Sequence, residues 1–394
     1  MATRSGPETE QQLIALAAAT GARRAAMRGT LEGLTAAADW PRLTAELGGA
    51  RLLPTLGPRI VEIAAGRAPE DFGAAVTASI EACRRQDALL ALISARVEGA
   101  LSGAGIRATG LKGSALGEAV YGEPGRRLSG DIDLLVAPGQ LDEAVAVVRD
   151  LGYGRPTDHV EVNGLPLLHF ALSHERGELP PVELHWRIHW YEDRFAEDCL
   201  LTSELGRSDW RPQPVHELAA LLLFYARDGF TGLRQAADIG AWWDRFGAGL
   251  EQGALDRVVH AYPRLGPALE AASLVSEQVI GVPLSETLGR EPRLGSRGRV
   301  AVRFVDPRPY ASAAQLFAEI GLIDGLLTPS DALGAYLRRQ VAPPLEVIRD
   351  HAEKAQSKKV GSPLGYSIRI LGRYTLAFGR LLHIPFAERA RFPT

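Results

Sequence analysis

Apolar residues recur at helical spacing through the first hundred positions, in QQLIALAAAT (11–20) and DALLALISARVEGAL (87–101), where alanine and leucine dominate. This predicts helices over about 8–103, broken at Pro54 and Pro58 and ended by Gly103 with Gly105. The pattern then changes. IRATGLKG (106–113) is a short run ending in glycine, SALGEAVYG (114–122) reads as a helix, and a loop through Pro124 and Gly125 leads to DIDLLVA (131–137), a strand. LDEAVAVVRDLGY (141–153) is an amphipathic helix, LPLLHFALSH (165–174) a strand, ELPP a turn and VELHWRI (182–188) another strand. Such alternation predicts a compact unit of mixed strands and helices over 104–190.

From 191 onward the helical pattern returns. HELAALLLFYARDGF (216–230) and LRQAADIGAWWDRF (233–246) are the strongest segments. SAAQLFAEIGLIDGLL and YSIRILGRYTLAFGRLL are weaker, and GREPRLGSRG (289–298) is an expected loop. The expected fold class is α+β and mostly helical: a small mixed-sheet core at 104–190, an N-terminal helical region at 1–103 and a C-terminal helical domain at 191–394. No internal repeat or long low-complexity tract interrupts it.

Composition narrows the picture slightly. Hydrophobic residues make up 46% and charged ones 23% of 394, ordinary for a globular protein. The net charge of −3 provides no basic field for nucleic acid, so such a partner is not favoured. The longest apolar runs, such as ALLALISA (88–95), are too short for a bilayer, so no membrane partner is expected. Cys83 and Cys199 form no CxxC pair or disulfide framework, and MATRSGPETEQQL lacks a secretory layout; a cytoplasmic location is expected.

The chemistry concentrates in three short segments. Residues two apart in a strand share a face, so Asp131 and Asp133 point together. Their mutual repulsion suits a divalent cation, because Mg2+ takes oxygen ligands and two-metal sites use bridging carboxylates. A solvent-facing edge strand can also carry a DxD pair, so context decides. Upstream, Lys112-Gly113-Ser114 stands at a strand-to-helix junction. There glycine permits close backbone approach, Ser114 can cap the helix, and the helix N-terminus offers donors to phosphate. Downstream, alternation puts Glu183 and His185 on one face, with Val182, Leu184 and Trp186 on the other.

This combination resembles the nucleotidyltransferase superfamily typified by DNA polymerase beta, whose signature is a glycine-serine turn, an Asp-x-Asp strand and a third carboxylate on a later strand. LKGSALGEAVYGEPGRRLSGDIDLLV (111–136) and VELHW are most similar to the uncharacterised bacterial nucleotidyltransferase family within it. The strong resemblance covers about 104–190. A weaker one reaches LRQAADIGAWW (233–243), with its arginine and aspartate. The resemblance implies transfer of an NMP from an NTP, ATP by preference, to a hydroxyl acceptor with release of pyrophosphate. Asp131, Asp133 and Glu183 would be the catalytic, metal-holding residues for Mg2+ or Mn2+, Glu183 completing the metal site or serving as general base. Gly113 and Ser114 would hold the β- and γ-phosphates, with Lys112 and Arg127 neutralising triphosphate charge. His185, Arg234 and Asp238 are candidate cleft residues. The cleft is expected where the sheet edge bearing the carboxylates faces the C-terminal helices. A small molecule or peptide is the favoured acceptor; a toxin-type enzyme acting on RNA or protein and a non-catalytic nucleotide binder are the rival readings.

Other features favour plainer roles. His185 and His189 have the i,i+4 spacing that holds zinc on a helix, but they sit in a strand context. His169 and His174 are expected to make local hydrogen bonds. Trp186, Trp190, Trp210, Trp242 and Trp243 are expected to pack between the core and the helical domain. Arg234 and Asp238, four apart on a helix, suit an ion pair, and KAQSKK (354–359) a solvated turn.

Overall fold

The computed structural model describes residues 7–154, 161–162, 165–192, 194–202, 212–303, 305, 313–345, 348 and 363–383. Trp210 and KAQSKK lie outside the described residues. The N-terminal part is a run of helices: α1 (Pro7–Ala18), α2 (Gly21–Ala26), α3 (Arg28–Ala37), α4 (Trp40–Gly49), α5 (Leu53–Ala64) and the long α6 (Glu70–Gly103). The two prolines differ from expectation. Pro54 opens α5 where a missing N–H costs nothing, and Pro58 lies inside α5 without ending it.

The mixed unit follows as β1 (Ala108–Gly110), α7 (Ser114–Tyr121), β2 (Ile132–Val136), α8 (Leu141–Asp150), β3 (Glu161–Val162), β4 (Leu165–Pro166), β5 (His169–Leu172) and β6 (Val182–His185). Four strands form a mixed sheet in the order β1-β2-β6-β5, in which only β2 and β6 run parallel. The segment 165–174 is not one strand. Its first two residues pair with β3 in a separate hairpin, and only His169–Leu172 joins the main sheet.

The remaining described residues are mostly helical, with α9 (Phe195–Thr202), α10 (Pro214–Arg227), α11 (Leu233–Phe246), α12 (Ala254–Ala261), α13 (Gly266–Ile280), α14 (Leu284–Leu288), α15 (Ser296–Arg303), α16 (Ala313–Leu327), α17 (Leu333–Val341) and α18 (Pro363–His383). The fold is thus mostly helical α+β. The expected loop at 289–298 is one only to Gly295, since α15 begins at Ser296.

Two hydrophobic clusters hold the described residues together. One covers a face of the sheet with α6 and α8, through Ile132, Leu134, Val136, Val182, Leu184, Leu90, Ala144 and Val148. The other joins N-terminal and C-terminal helices, with Leu13, Leu56, Leu222, Trp242 and Leu269 among its members, and reaches the sheet's opposite face at Leu135. Strand alternation therefore turns even-numbered β2 residues toward α6 and α8 and odd-numbered ones toward the second cluster and its helices. No described helix is long and apolar enough to cross a membrane.

Candidate active site

Parallel pairing of β2 with β6 sets Asp133 directly opposite Glu183. Asp131 stands just before β2 and His185 two residues beyond Glu183, all toward the helical side of the sheet. One carboxylate oxygen from each of Asp131, Asp133 and Glu183 lies within 4.8 Å of the others. These residues stand at the two central strands rather than at the sheet's edge.

Their electrostatics differ. Asp133 is 3% exposed, and burial alone would push its carboxyl up. Lys112 Nζ and His185 Nε2, each 3.0 Å from Asp133 Oδ1, outweigh that and hold it well below the usual carboxylate range. Asp131, half-buried, is pushed upward by burial and then by the Asp133 charge. Glu183 is held down despite its burial, chiefly by the hydrogen bond from His185 and then by His169.

The His185 tautomer follows from its partners. Nε2 also lies 3.3 Å from Glu183 Oε2, and an ionised carboxylate only accepts, so Nε2 carries a proton. His185 therefore orients two carboxylates. His169, opposite His185 across β5 and β6, lies 3.8 Å from Glu183 Oε2, and burial beside His185 pushes its imidazole down to about 4. Its position beside the carboxylates was not legible in the sequence, which gives no register for β5. His174 takes a local hydrogen bond from the Arg176 N–H. His189 turns away from His185 and sits 4.0 Å from buried Asp324.

The carboxylate set fits a hard divalent cation. All three ligands offer oxygen, and Asp133 Oδ2 is buried with no hydrogen-bond partner among the described residues.

Beside the carboxylates, Gly113 adopts φ +87° and ψ −152°, a conformation open to glycine. Gly113, not Ser114, is the cap residue of α7; Ser114 is its first helical residue and no side-chain capping bond forms. The Ser114 hydroxyl makes no hydrogen bond among the described residues.

The 122–130 loop and α11 support this turn from behind. Arg127, 5% exposed, donates from Nε to Asp238 Oδ2 at 2.8 Å, and from Nη1 to the Gly113 carbonyl at 3.2 Å and Ser129 Oγ at 2.6 Å. Tyr121 donates to the other oxygen, Asp238 Oδ1, at 2.9 Å. Asp238 therefore pairs with Arg127 rather than with Arg234, its neighbour one helical turn away. Arg234 forms no hydrogen bond or ion pair among the described residues. Burial and the nearby Arg127 push its guanidinium down, while Asp238 and Asp131 pull it up. Phe224 of α10 closes the same side, its ring 5.6 Å from Lys112 Nζ. Tyr121 and Ser129 carry no sequence signal, since their roles arise only from tertiary contact.

Among the tryptophans, Trp186 and Trp242 are buried core residues, and Trp242 donates to Glu217 at 2.6 Å. Trp190 instead stacks under the Arg339 guanidinium, 3.9 Å away.

Comparison with known families gives one match. A family described as an uncharacterised nucleotidyltransferase matches residues 36–279, well over half of the chain and spanning every residue of the carboxylate cluster. No curated protein and no solved structure matches.

Proposed function

The chain belongs to an uncharacterised nucleotidyltransferase family, and from that premise we propose that it transfers an NMP from an NTP, ATP by preference, to a hydroxyl of a small-molecule or peptide acceptor. The acceptor oxygen bonds to the α-phosphorus, the bond from that phosphorus to the β-bridging oxygen breaks, and pyrophosphate leaves. The observation that carries this reading is the convergence of Asp131, Asp133 and Glu183 within 4.8 Å of one another beside the Gly113-Ser114 turn.

Asp131, Asp133 and Glu183 would hold Mg2+ or Mn2+, which when bound neutralises phosphate charge and makes the acceptor hydroxyl more acidic. The chain's own residues do the rest. Gly113 and Ser114, at the start of α7, present backbone donors and a free hydroxyl to the terminal phosphates. Arg234, with no partner among the described residues, supplies positive charge to the triphosphate. Arg127, committed to Asp238 and the Gly113 carbonyl, acts by fixing the turn. Lys112 and His185 keep Asp133 ionised and aimed. Glu183 completes the metal site on the acceptor side or takes the acceptor's proton. Two buried free thiols, Cys83 and Cys199, suit the reducing cytoplasm.

The test is incubation with α-labelled NTPs, Mg2+ and candidate acceptors, reading pyrophosphate release and the mass gained by the acceptor. Asp131→Asn and Asp133→Asn should each lower release more than about 100-fold, beyond the loss typical of a metal's outer partners, while circular dichroism stays unchanged. Full activity in either variant would refute the assignment. Labelling of RNA or protein in place of a small molecule would identify the acceptor class as the other one.

A further inference from the structure

Arg59 of α5 lies at the far end of α7 from Ser114, its guanidinium 5.6 Å from the centre of the Tyr121 ring. It donates to the Ala17 carbonyl at 3.1 Å and forms no ion pair among the described residues. Burial, and then the like charge of Arg24, push this guanidinium down. Half-buried and without a counter-charge among the described residues, this guanidinium is well placed to accept an anion.

The space in front of Arg59 is a cavity of about 260 Å3 bounded by α2, α3 and α5. Arg24, Arg28 and Arg59 line it, together with Leu31, Glu32 and Glu62. The two glutamates are exposed and pair with none of these arginines among the described residues. Arg24 is partly balanced, its Nη2 lying 3.6 Å from Asp244. Arg28, Glu32 and Glu62 stand at the exposed rim, and inside the cavity Arg59 keeps no counter-charge among the described residues. Guanidinium forks match the oxygens of phosphate in geometry, and the volume is below the range of about 300–1,000 Å3 usual for drug-sized ligands.

We infer that this cavity is a binding site for a small oxyanion of the phosphate class, separate from the carboxylate site and held chiefly by Arg59 and Arg24. The site has a route to the catalytic turn. Tyr121, which Arg59 faces, donates to Asp238; Asp238 accepts from Arg127, and Arg127 donates to the Gly113 carbonyl.

Calorimetric titration of the full chain with inorganic phosphate, in EDTA and at constant ionic strength set with chloride, tests the site. Saturable one-site binding is expected, weakened at least about tenfold by Arg59→Gln. Arg24→Gln should weaken it too, and serves if Arg59→Gln fails to fold. Arg234→Gln should leave it unchanged. A parallel titration with AMP tells free phosphate from a phosphate ester: binding of AMP that Arg59→Gln also weakens marks an ester site. Absence of saturable phosphate binding, equal binding in wild type and both pocket variants, or loss in Arg234→Gln alone would overturn the inference. It does not depend on nucleotidyl transfer, since phosphate binding without divalent metal is read apart from pyrophosphate release.

Discussion

Asp133 carries the greatest constraint of any single residue in the site. It is almost wholly buried, yet it stays ionised because Lys112 and His185 each reach Oδ1 at 3.0 Å. Replacing His185 with Ala removes the Nε2 donor to both Asp133 and Glu183 without touching the three carboxylates. The Mg2+ concentration giving half-maximal pyrophosphate release should then rise about 10–100-fold, the usual range for partners of metal ligands. An unchanged Mg2+ requirement in a folded variant would show that the histidine does not hold the carboxylates. The face shared by Asp131 and Asp133 and that shared by Glu183 and His185 were legible in the sequence, because strand alternation alone decides them, whereas the expectation that Glu183 joins the aspartates came from the family resemblance. The tautomer of His185, the company of His169 and the pairing of Lys112 with Asp133 were not, since each depends on register between strands distant in sequence.

At the scale of elements, α7, the 122–130 loop and α11 are clamped by one buried pair, Arg127 with Asp238, the aspartate also accepting from Tyr121. Arg234 and Asp238, four apart on a helix, suggested a local pair; the longer-range partner won because Arg127 is carried into the interior behind Gly113. Removing one member of such a pair leaves an uncompensated buried charge. Asp238→Ala should therefore destabilise the fold by about 3–5 kcal/mol in denaturant titration. Arg127→Met with Asp238→Leu should recover much of that loss. A cost below about 1 kcal/mol for Asp238→Ala would mean the clamp is not a buried pair in solution. Helix and strand segments were largely legible from periodicity. The boundaries that failed did so for local reasons: Pro58 fits inside α5, and the run at 165–174 splits because its first residues pair with β3.

At the scale of the molecule, helices from both ends of the chain share one hydrophobic cluster, which no periodicity along the sequence could reveal. The segment leaving β6 reaches α16, where burial pushes the Asp324 carboxyl up to about 7, against Tyr191, His189, Tyr336 and Arg339. A carboxyl whose folded value exceeds its unfolded one favours folding most below pH 4, and that contribution is lost as pH rises toward 7. His189, pushed by burial down to about 3, has the opposite slope between about pH 3 and 6.5. Comparing wild type with Asp324→Asn isolates the acid. The stability of wild type relative to the variant should be greatest near pH 4 and shrink steadily to pH 7, as followed by thermal unfolding. A difference independent of pH would place Asp324 outside this buried network. The proposed chemistry depends most on a divalent cation at Asp131, Asp133 and Glu183 beside Gly113 and Ser114. Its most direct measurement is titration of Mn2+ by electron paramagnetic resonance, with a non-hydrolysable NTP analogue present. Saturable binding is predicted for the wild-type chain, weakened more than about 100-fold by Asp131→Asn, Asp133→Asn or Glu183→Gln. Equal Mn2+ affinity across the wild type and all three folded variants would contradict it.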